Sequence, residues 1–197
     1  FILRNSGNDN NLTQFRDGLM QGLVKDGMDI DTQAYRPAIV YINGKYWGIL
    51  NIREKINESY PEGNHGADPD NIDLLQNNKE IFAGDAQHYT QLLSYINKND
   101  MRVSKHYAYV KTQMDVNEYI NYQIAQIYFS NTDWPGNNIK YWRPKTDKGR
   151  WRWVLFDLDF GFNQQSNGVS HNTLEFACAT NGPNWPNPPW STLLFRK

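Results

Sequence analysis

An Asn-Gly pair between two extended stretches places the strongest constraint on how this chain folds. Ala38 to Ile42 is an apolar run, Asn43-Gly44 follows it, and Lys45 to Arg53 continues as a second extended stretch. Asn-Gly favours the two-residue turn whose twist matches that of adjacent antiparallel strands. The sequence therefore predicts an antiparallel β-hairpin over residues 38–53, and Phe1-Ile2-Leu3 is typical of the middle of another strand.

Helical spacing appears before the hairpin. Apolar residues recur there at steps of three and four: Leu12, Phe15, Leu19, Leu23 and Val24. This spacing predicts an amphipathic helix that ends at Asp26-Gly27. Asn11 with Gln14 resembles a capping box at its start.

Helical spacing returns after the hairpin, from Asp85 onward. The first face is formed by Tyr89, Leu92, Leu93 and Ile96. Asp115 is a candidate N-cap for a second helix that ends at Ser130-Asn131. The predicted apolar stripe of that helix consists of Val116, Tyr119, Ile120, Ile124, Ile127 and Tyr128.

The remaining segments complete an α+β pattern. Residues 57–71 are rich in Gly, Pro, Asn and Asp, which predicts a loop and a boundary between two lobes. Residues 139–142 and 151–156 predict two short strands, and residues 164–189 predict a long irregular segment. The predicted order places β structure early and helices late, with a strand pair near the end.

Composition argues against several functional classes, although a local basic patch remains open. The 197 residues carry 20 basic and 21 acidic side chains, so no charge excess predicts nucleic-acid binding. Cys178 is the single cysteine and is expected to pack, and no apolar run has the length of a membrane span. The four histidines lack metal-ligand spacing. The 7 Trp and 12 Tyr predict an aromatic core, or alternatively a surface that stacks on sugars or bases.

The strongest chemical signal combines three polar side chains from two segments. Asp133 and Asn138 lie in a loop directly after the predicted helix, and Asp157 ends the apolar strand 153–156. A kinase catalytic centre has this order: an Asp that orients the hydroxyl, an Asn five residues later that binds Mg²⁺, and an Asp after the next hairpin. Mg²⁺ prefers oxygen ligands, so Asp and Asn suit it.

Asp157 and Asp159 compete for the metal-binding role. Strand alternation puts both on one face, and Asp159-Phe160-Gly161 is a literal match to the kinase metal tripeptide. We favour Asp157, which directly follows the apolar strand, with Asp159 as a second ligand or a supporting carboxylate. Each residue also has a structural alternative: a turn for Asp133, a strand-entry cap for Asn138, and a sheet-capping loop for the two others.

Five separated motifs in this order resemble the CotH (spore-coat) kinase family. They are Leu3-Arg4-Asn5 with Asp9, Phe15-Arg16-Asp17, Tyr41 to Gly48 with Arg53-Glu54-Lys55, Asn131 to Asn138, and Trp153 to Gly161. The resemblance implies a divergent protein-kinase-like fold that transfers phosphate from ATP, with Mg²⁺ or Mn²⁺, to Ser or Thr of coat proteins. It also implies a catalytic role for Asp133 and a metal-binding role for Asp157.

The resemblance sets further expectations. We expect one domain over residues 1–197 that is incomplete at both ends, with a partial N-lobe at 1–56 and a C-lobe at 72–197. We expect a monomer that acts on a protein substrate outside the cytoplasm or at the cell surface, and in the spore coat of a spore former. Neither a Gly-rich phosphate loop nor a Val-Ala-Ile-Lys motif is recognisable in the sequence.

Four further residues are candidates for binding the nucleotide. Arg53 and Glu54 end the return strand of the hairpin, with an exposed strand-end pair as the alternative. Arg4 is a candidate phosphate contact, as is Lys140, for which a solvated face on the strand after Asn138 is the alternative.

Two other functions remain open at this point. Asp157-x-Asp159 after an apolar strand is also similar to the metal site of nucleotide-sugar glycosyltransferases, although those enzymes begin with a parallel α/β half. The aromatic content also suits a surface module that binds glycans or proteins and keeps an inactive kinase-like site.

Overall fold

The computed structural model describes residues 1–162, 164, 170–179 and 193–194. The strands of this part are β1 (Ile2–Arg4), β2 (Asp31–Thr32), β3 (Tyr35–Ile42), β4 (Lys45–Arg53), β5 (Ile72–Gln76), β6 (Glu80–Ala83), β7 (Lys140–Pro144) and β8 (Arg152–Leu155). Its helices are α1 (Arg16–Val24), α2 (Ser59–His65), α3 (Gln87–Lys98), α4 (Ser104–Gln113), α5 (Val116–Tyr128) and α6 (Thr173–Cys178). The α+β class is confirmed.

A three-stranded antiparallel sheet contains the predicted hairpin. Its strand order is β1-β4-β3, and both pairings are antiparallel. Asn43 (φ 51°) and Gly44 (φ 76°) both adopt positive φ at the hairpin turn, as the Asn-Gly pair predicts. The sequence therefore correctly located this hairpin, and the strand expected around Ile2 is β1.

A five-stranded sheet has the order β2-β8-β7-β5-β6. The β2–β8 pairing is parallel, and the other three are antiparallel. The late strand pair β7–β8 was predicted, but β2, β5 and β6 were not. Because β2 belongs to this sheet, the predicted lobe boundary at residues 57–71 does not separate the two sheets, and that segment also contains α2.

An aromatic core lies between the five-stranded sheet and α3 and α5. The ring of Tyr141 on β7 lies 4.4 Å from Tyr89 of α3 and 5.9 Å from Trp153 of β8, measured between centroids. Trp151 and Tyr119 contact the same group, at 5.0 Å from Tyr89 and 4.6 Å from Trp153 respectively. This packing supports the first interpretation of the aromatic content, which is an aromatic core.

The predicted apolar stripe of helix α5 packs against the core over half of its residues only. Asp115 is its N-cap and accepts from the Glu118 backbone N–H, as expected. Val116, Tyr119 and Ile127 pack against the core as predicted. The other three residues of the stripe are exposed: Ile120, Ile124 and Tyr128. The buried face is partly polar, and the Gln126 amide donates to the Tyr122 hydroxyl at 3.1 Å. Apolar spacing alone located only part of the buried face because it does not detect buried hydrogen-bonding residues.

Helix α1 begins later than its apolar spacing predicts, at Arg16. The capping box between Asn11 and Gln14 is wrong, since Gln14 has a left-handed backbone with φ 64°. The Asp9 carboxylate instead accepts the backbone N–H groups of Thr13 and Arg16, at 3.1 Å each. A side-chain-stabilised loop therefore replaces the expected first turn.

Among the helices that the structure describes, none is both long and apolar enough to cross a bilayer.

Candidate active site

The acidic motif, Asp157-Leu158-Asp159, forms a turn directly after β8. Asp157 has a left-handed backbone (φ 54°), and its side chain is 31% exposed, whereas that of Asp159 is 1% exposed. Both carboxylates contact the same guanidinium nitrogen, Arg4 Nη2, at 2.6 Å and 2.7 Å. The two acidic side chains therefore converge on one cationic group, and Asp157 is the one that solvent reaches.

Arg4 lies at the end of β1 and contacts three carboxylates. Its Nη1 donates to Asp17 at 3.2 Å, in addition to the two contacts made by Nη2. Burial acts to lower the pKa of Arg4, but the charges of Asp157, Asp17 and Asp159 outweigh it, so the pKa of Arg4 is raised. Arg4 thus remains a cation at the point where β1 meets the acidic motif.

Asp17, near the start of α1, organises this network and was not selected from the sequence. Its Oδ2 accepts from Arg4 and from Arg53 Nη2 (2.8 Å), and its Oδ1 accepts from the Leu158 backbone N–H (3.0 Å) and the Gln21 amide (2.7 Å). Asp17 therefore connects β1, β4, α1 and the acidic turn. A strand cation paired with a helix acid is also how kinases hold the residue that contacts the phosphates.

The predicted catalytic loop follows α5 and is held by amide side chains. Buried Asn131 accepts the Asp133 backbone N–H at 3.1 Å. The Asp133 carboxylate accepts from Asn138 Nδ2 at 2.9 Å and from Asn137 Nδ2 at 3.3 Å. The structure thus brings together Asp133 and Asn138.

The negative charge of Asp157 also affects the pKa of Asp133. Burial is the main cause that raises its pKa, and the negative charge of Asp157 raises it further, while hydrogen bonds from Asn137 and Asn138 act in the opposite direction. The two candidate carboxylates from separate segments are therefore close enough to interact electrostatically. A raised pKa suits a group that accepts a proton during a reaction.

A cleft of about 490 Å³ opens beside Arg4 and Asp157. Its lining combines the apolar side chains Ile2, Ile56, Phe82 and Phe156 with the cationic side chains Arg4, Lys55 and Lys140. β1 contributes wall residues from the small sheet, while β6 and β7 contribute from the large one. The cleft therefore lies between the sheets and offers apolar and cationic surfaces together.

Lys140 occupies this cleft rather than a fully solvated face. Its ammonium lies 4.7 Å from the ring centroid of Phe82 and 5.5 Å from that of Phe156. Burial lowers the pKa of Lys140, and the nearby charge of Lys55 adds to this, whereas Glu80 opposes it. An anionic ligand in the cleft would therefore find a partly desolvated cation.

Asp159 is enclosed by the loop between β1 and α1. The Asn8 backbone N–H donates to its Oδ2 at 3.0 Å. Gly7 has a positive φ of 51°, and a Cβ at this position would lie 2.3 Å from the same oxygen, so only glycine fits there. Burial is the main cause that raises the pKa of Asp159 to about 7, and Arg4 opposes it.

The oxygen donors of this region are compatible with a divalent cation. No group of three His, Cys, Asp or Glu side chains among the described residues is arranged to hold a metal alone. Mg²⁺ does not require one, because it commonly takes one or two carboxylates and completes its shell with phosphates and water. Asp157 and Asn138 supply hard oxygens, and the buried Asp159 Oδ1 has no hydrogen-bond partner.

Arg53 and Glu54 do not lie on the cleft wall. Arg53 is buried and donates to Asp17 and Gln33, and the Glu54 carboxylate accepts from the Asn64 amide at 2.7 Å and the Ala34 backbone N–H at 3.2 Å. The exposed strand-end pair is therefore wrong for Arg53. Nucleotide contact by either residue stays a prediction that these contacts do not favour.

Comparison with known proteins gives the chain its family. No curated protein matches it. The protein-family model described as CotH kinase protein matches residues 1–197, which is the whole sequence. Together with the order of motifs that first suggested this resemblance, the full-length match shows that the chain belongs to the CotH kinase family.

Proposed function

We propose that this protein is a metal-dependent phosphotransferase that moves the γ-phosphate of ATP to Ser or Thr of a protein substrate. One observation carries the proposal: Arg4 and Asp157 meet at a cleft between the sheets, and the Asp157 charge acts on Asp133 from a separate loop. Phosphoryl transfer depends mainly on positioning and charge neutralisation, which such an arrangement supplies.

Each site residue has a proposed role. Asp133 accepts the proton of the attacking hydroxyl, whose oxygen forms the new bond to phosphorus as the bond to the ADP oxygen breaks. Arg4, anchored by Asp17, binds phosphate oxygens, and Lys140 contributes a second cation from the opposite wall. A bound Mg²⁺ or Mn²⁺ would be held by Asp157 and Asn138, with Asp159 in support, and would neutralise phosphate charge.

Transfer of labelled phosphate from ATP tests this proposal. Incubation with Mg²⁺ or Mn²⁺ and a Ser-rich peptide is expected to label the peptide or the protein itself. Asp133→Asn and Asp157→Asn are each expected to reduce transfer by at least about 10²-fold, because each removes a group needed in the transition state. Asp147→Asn, in an exposed turn, is the matched control and is expected to retain full activity.

Binding measurements separate the two roles. A thermal shift with ATP and metal is expected to persist in Asp133→Asn and to shrink in Asp157→Asn. Undiminished transfer in both variants would contradict the proposal.

A glycosyltransferase is the first alternative, and the sheet topology does not favour it. Only the β2–β8 pair is parallel among the described strands, whereas nucleotide-sugar enzymes begin with a parallel half. Stabilisation by UDP-sugars in preference to ATP would support this alternative.

A binding module is the second alternative, and the hairpin supplies an observation in its favour. Tyr41, Tyr46 and Trp47 are large aromatic side chains that are exposed near the hairpin tip. If binding were the whole function, Asp133→Asn and Asp157→Asn would leave activity in the host unchanged.

The biological setting is part of the proposal. We expect a monomer that acts on surface or coat proteins outside the cytoplasm, and in the spore coat where the organism forms spores. Light scattering during gel filtration tests the monomer, and fractionation of cells or spores tests the location.

A further inference from the structure

An ion pair that the proposed chemistry does not use joins Asp9, in the loop between β1 and α1, to Arg16, the first residue of α1. Asp9 is fully buried, and its Oδ1 accepts from Arg16 Nε at 3.1 Å. The same carboxylate accepts from the Thr13 hydroxyl at 2.6 Å, and hydrogen bonds from Thr13 and Arg16 offset the effect of burial and leave the pKa of Asp9 lowered. The Arg16 guanidinium is therefore held in one orientation by an ionised partner.

Arg16 also holds the main chain that follows the acidic motif. Its Nη1 donates to the carbonyl oxygens of Gly161 at 2.9 Å and Phe162 at 2.8 Å. A Cβ at Gly161 would lie 2.7 Å from the Met20 sulfur of α1, so this backbone also packs closely against the helix that Arg16 begins. The exit from the acidic turn is thus fixed to the start of α1.

Phe162 extends the connection to the catalytic loop. Its backbone N–H donates to the Phe129 carbonyl at 2.7 Å, and the two rings lie 5.2 Å apart. Phe129 directly follows α5, and the loop that carries Asp133 begins two residues later at Asn131. A single residue therefore receives a hydrogen bond from Arg16 and donates one to the segment that precedes Asp133.

We propose that the Asp9–Arg16 pair positions the acidic turn relative to the catalytic loop. Arg16 and Asp9 do not line the cleft beside Asp157, so neither is expected to bind the nucleotide. They act through the backbone of residues 161–162, which sets the separation of Asp157 and Asp133. The consequence for phosphate transfer rests on the proposed function, whereas the structural connection does not.

Hydrogen exchange tests the connection without any activity assay. In Arg16→Gln, the Phe162 amide is expected to exchange at least about tenfold faster than in the wild type. The reason is that the Phe162 carbonyl oxygen no longer accepts a hydrogen bond from Arg16. Arg36→Gln, an exposed arginine on β3, is the matched control and is expected to leave exchange unchanged. Unchanged exchange at Phe162 in a folded Arg16→Gln protein overturns the proposal.

Kinetics then test the positioning role. Arg16→Gln is expected to lower kcat about tenfold or more while the dissociation constant for ATP stays within about twofold, because ground-state binding is retained. Arg16→Lys is expected to recover part of the loss through its retained charge. An equal loss of ATP affinity, or no loss of kcat, overturns the positioning role.

A milder variant covers the case in which Arg16→Gln does not fold. Arg16→Lys keeps the positive charge beside Asp9 but lacks the planar guanidinium that reaches both carbonyl oxygens, so it is expected to show the same effects at smaller size. If the wild type transfers no phosphate but Phe162 exchange responds as expected, the proposed function fails and the structural connection stands.

Discussion

In the five-stranded sheet most of the buried side chains are apolar, whereas the three-stranded sheet buries only Asn51 and Arg53. The large sheet packs against helices through aromatic rings. The small sheet meets the rest of the molecule through hydrogen bonds and ion pairs around Asp17, while much of its apolar surface is exposed. Hydrophobic burial therefore stabilises one region, and a charged network aligns the other with the active site.

The candidate site lies where the charged network of the small sheet meets the aromatic core of the large sheet. Arg4 comes from the charged side, and Lys140, Asp133 and Asp157 come from segments joined to the aromatic core. Alignment of Arg4 with the carboxylates then depends on Asp17, and the proposed role of the Asp9–Arg16 pair is to position the acidic turn relative to the catalytic loop. We expect changes in the two regions to separate stability from alignment.

The largest expected effect distinguishes two tryptophans. Trp153→Ala in the core (2% exposed) is expected to lower the free energy of unfolding by about 3–5 kcal/mol, because it leaves a cavity. Trp47→Ala on the hairpin (66% exposed) is expected to change it by less than about 0.5 kcal/mol. Urea unfolding measures both, and similar losses would remove the contrast between the sheets.

The charged network gives the next largest effect. Arg53→Met is expected to reduce the free energy of unfolding by about 2–3 kcal/mol, since Asp17 loses a buried charged donor but keeps Arg4. Arg36→Met, on the neighbouring strand, is the exposed control. A stability equal to that of the wild type would show that apolar packing, not the network, supports β4.

Glu118 provides a pH test of the core side. Burial is the main cause that raises its pKa well above the ordinary value, so the folded state holds the proton more tightly than the unfolded chain. Stability is therefore expected to fall as pH rises from the unfolded pKa through the folded one, by at most about 1.4 kcal/mol per pH unit for one group.

The Glu118→Gln variant isolates this contribution. It is expected to show a shallower decline in the free energy of unfolding with rising pH, measured by urea unfolding at a series of pH values. Glu62→Gln, exposed on α2, is the control and should retain the wild-type slope. An unchanged slope in Glu118→Gln would assign the pH dependence to other groups, including Asp159.

The smallest expected effect concerns the cleft itself. Lys140→Met is expected to weaken ATP binding about tenfold, or about 1.4 kcal/mol, while stability changes little. Lys148→Met in the exposed turn is the control, and calorimetric titration measures both. Unchanged affinity would indicate that Arg4 and Lys55, rather than Lys140, are the cations that bind the nucleotide.

Local patterns in the sequence were enough to predict the hairpin, the α3 face and the N-cap of α5. The same patterns gave a wrong helix start and an incomplete buried face where buried polar side chains, rather than apolar spacing, determine the structure. Hydrogen bonds to Asp9 replace the expected first turn of α1, and buried glutamines and a tyrosine occupy part of the buried face of α5 while half of its apolar stripe is exposed. Strands β5 and β6 were missed because short segments in polar surroundings carry little periodic signal.

The sequence predicted which residues form the candidate site but not how they are arranged in space. The order of Asp133, Asn138 and Asp157 was readable because chemistry requires those residue types. Asp17 was part of the Phe15-Arg16-Asp17 motif but was not selected as a site residue, since a single acid near a helix start usually has a local role. Arg53 was a candidate for binding the nucleotide, with a strand-end pair as the alternative, whereas its side-chain hydrogen bonds are to Asp17 and Gln33.

The sequence by itself determined the local turns, the family and the side chains able to hold a cation or accept a proton, because these depend on residue type and short-range spacing. Only the tertiary structure decided that Arg4, Asp17, Asp157 and Asp159 form one network and that Asp133 lies within its field. The contacts of Arg4 with Asp157 and Asp159 join residues 153 and 155 positions apart, and no local preference encodes which of many charged side chains will meet after the chain has folded.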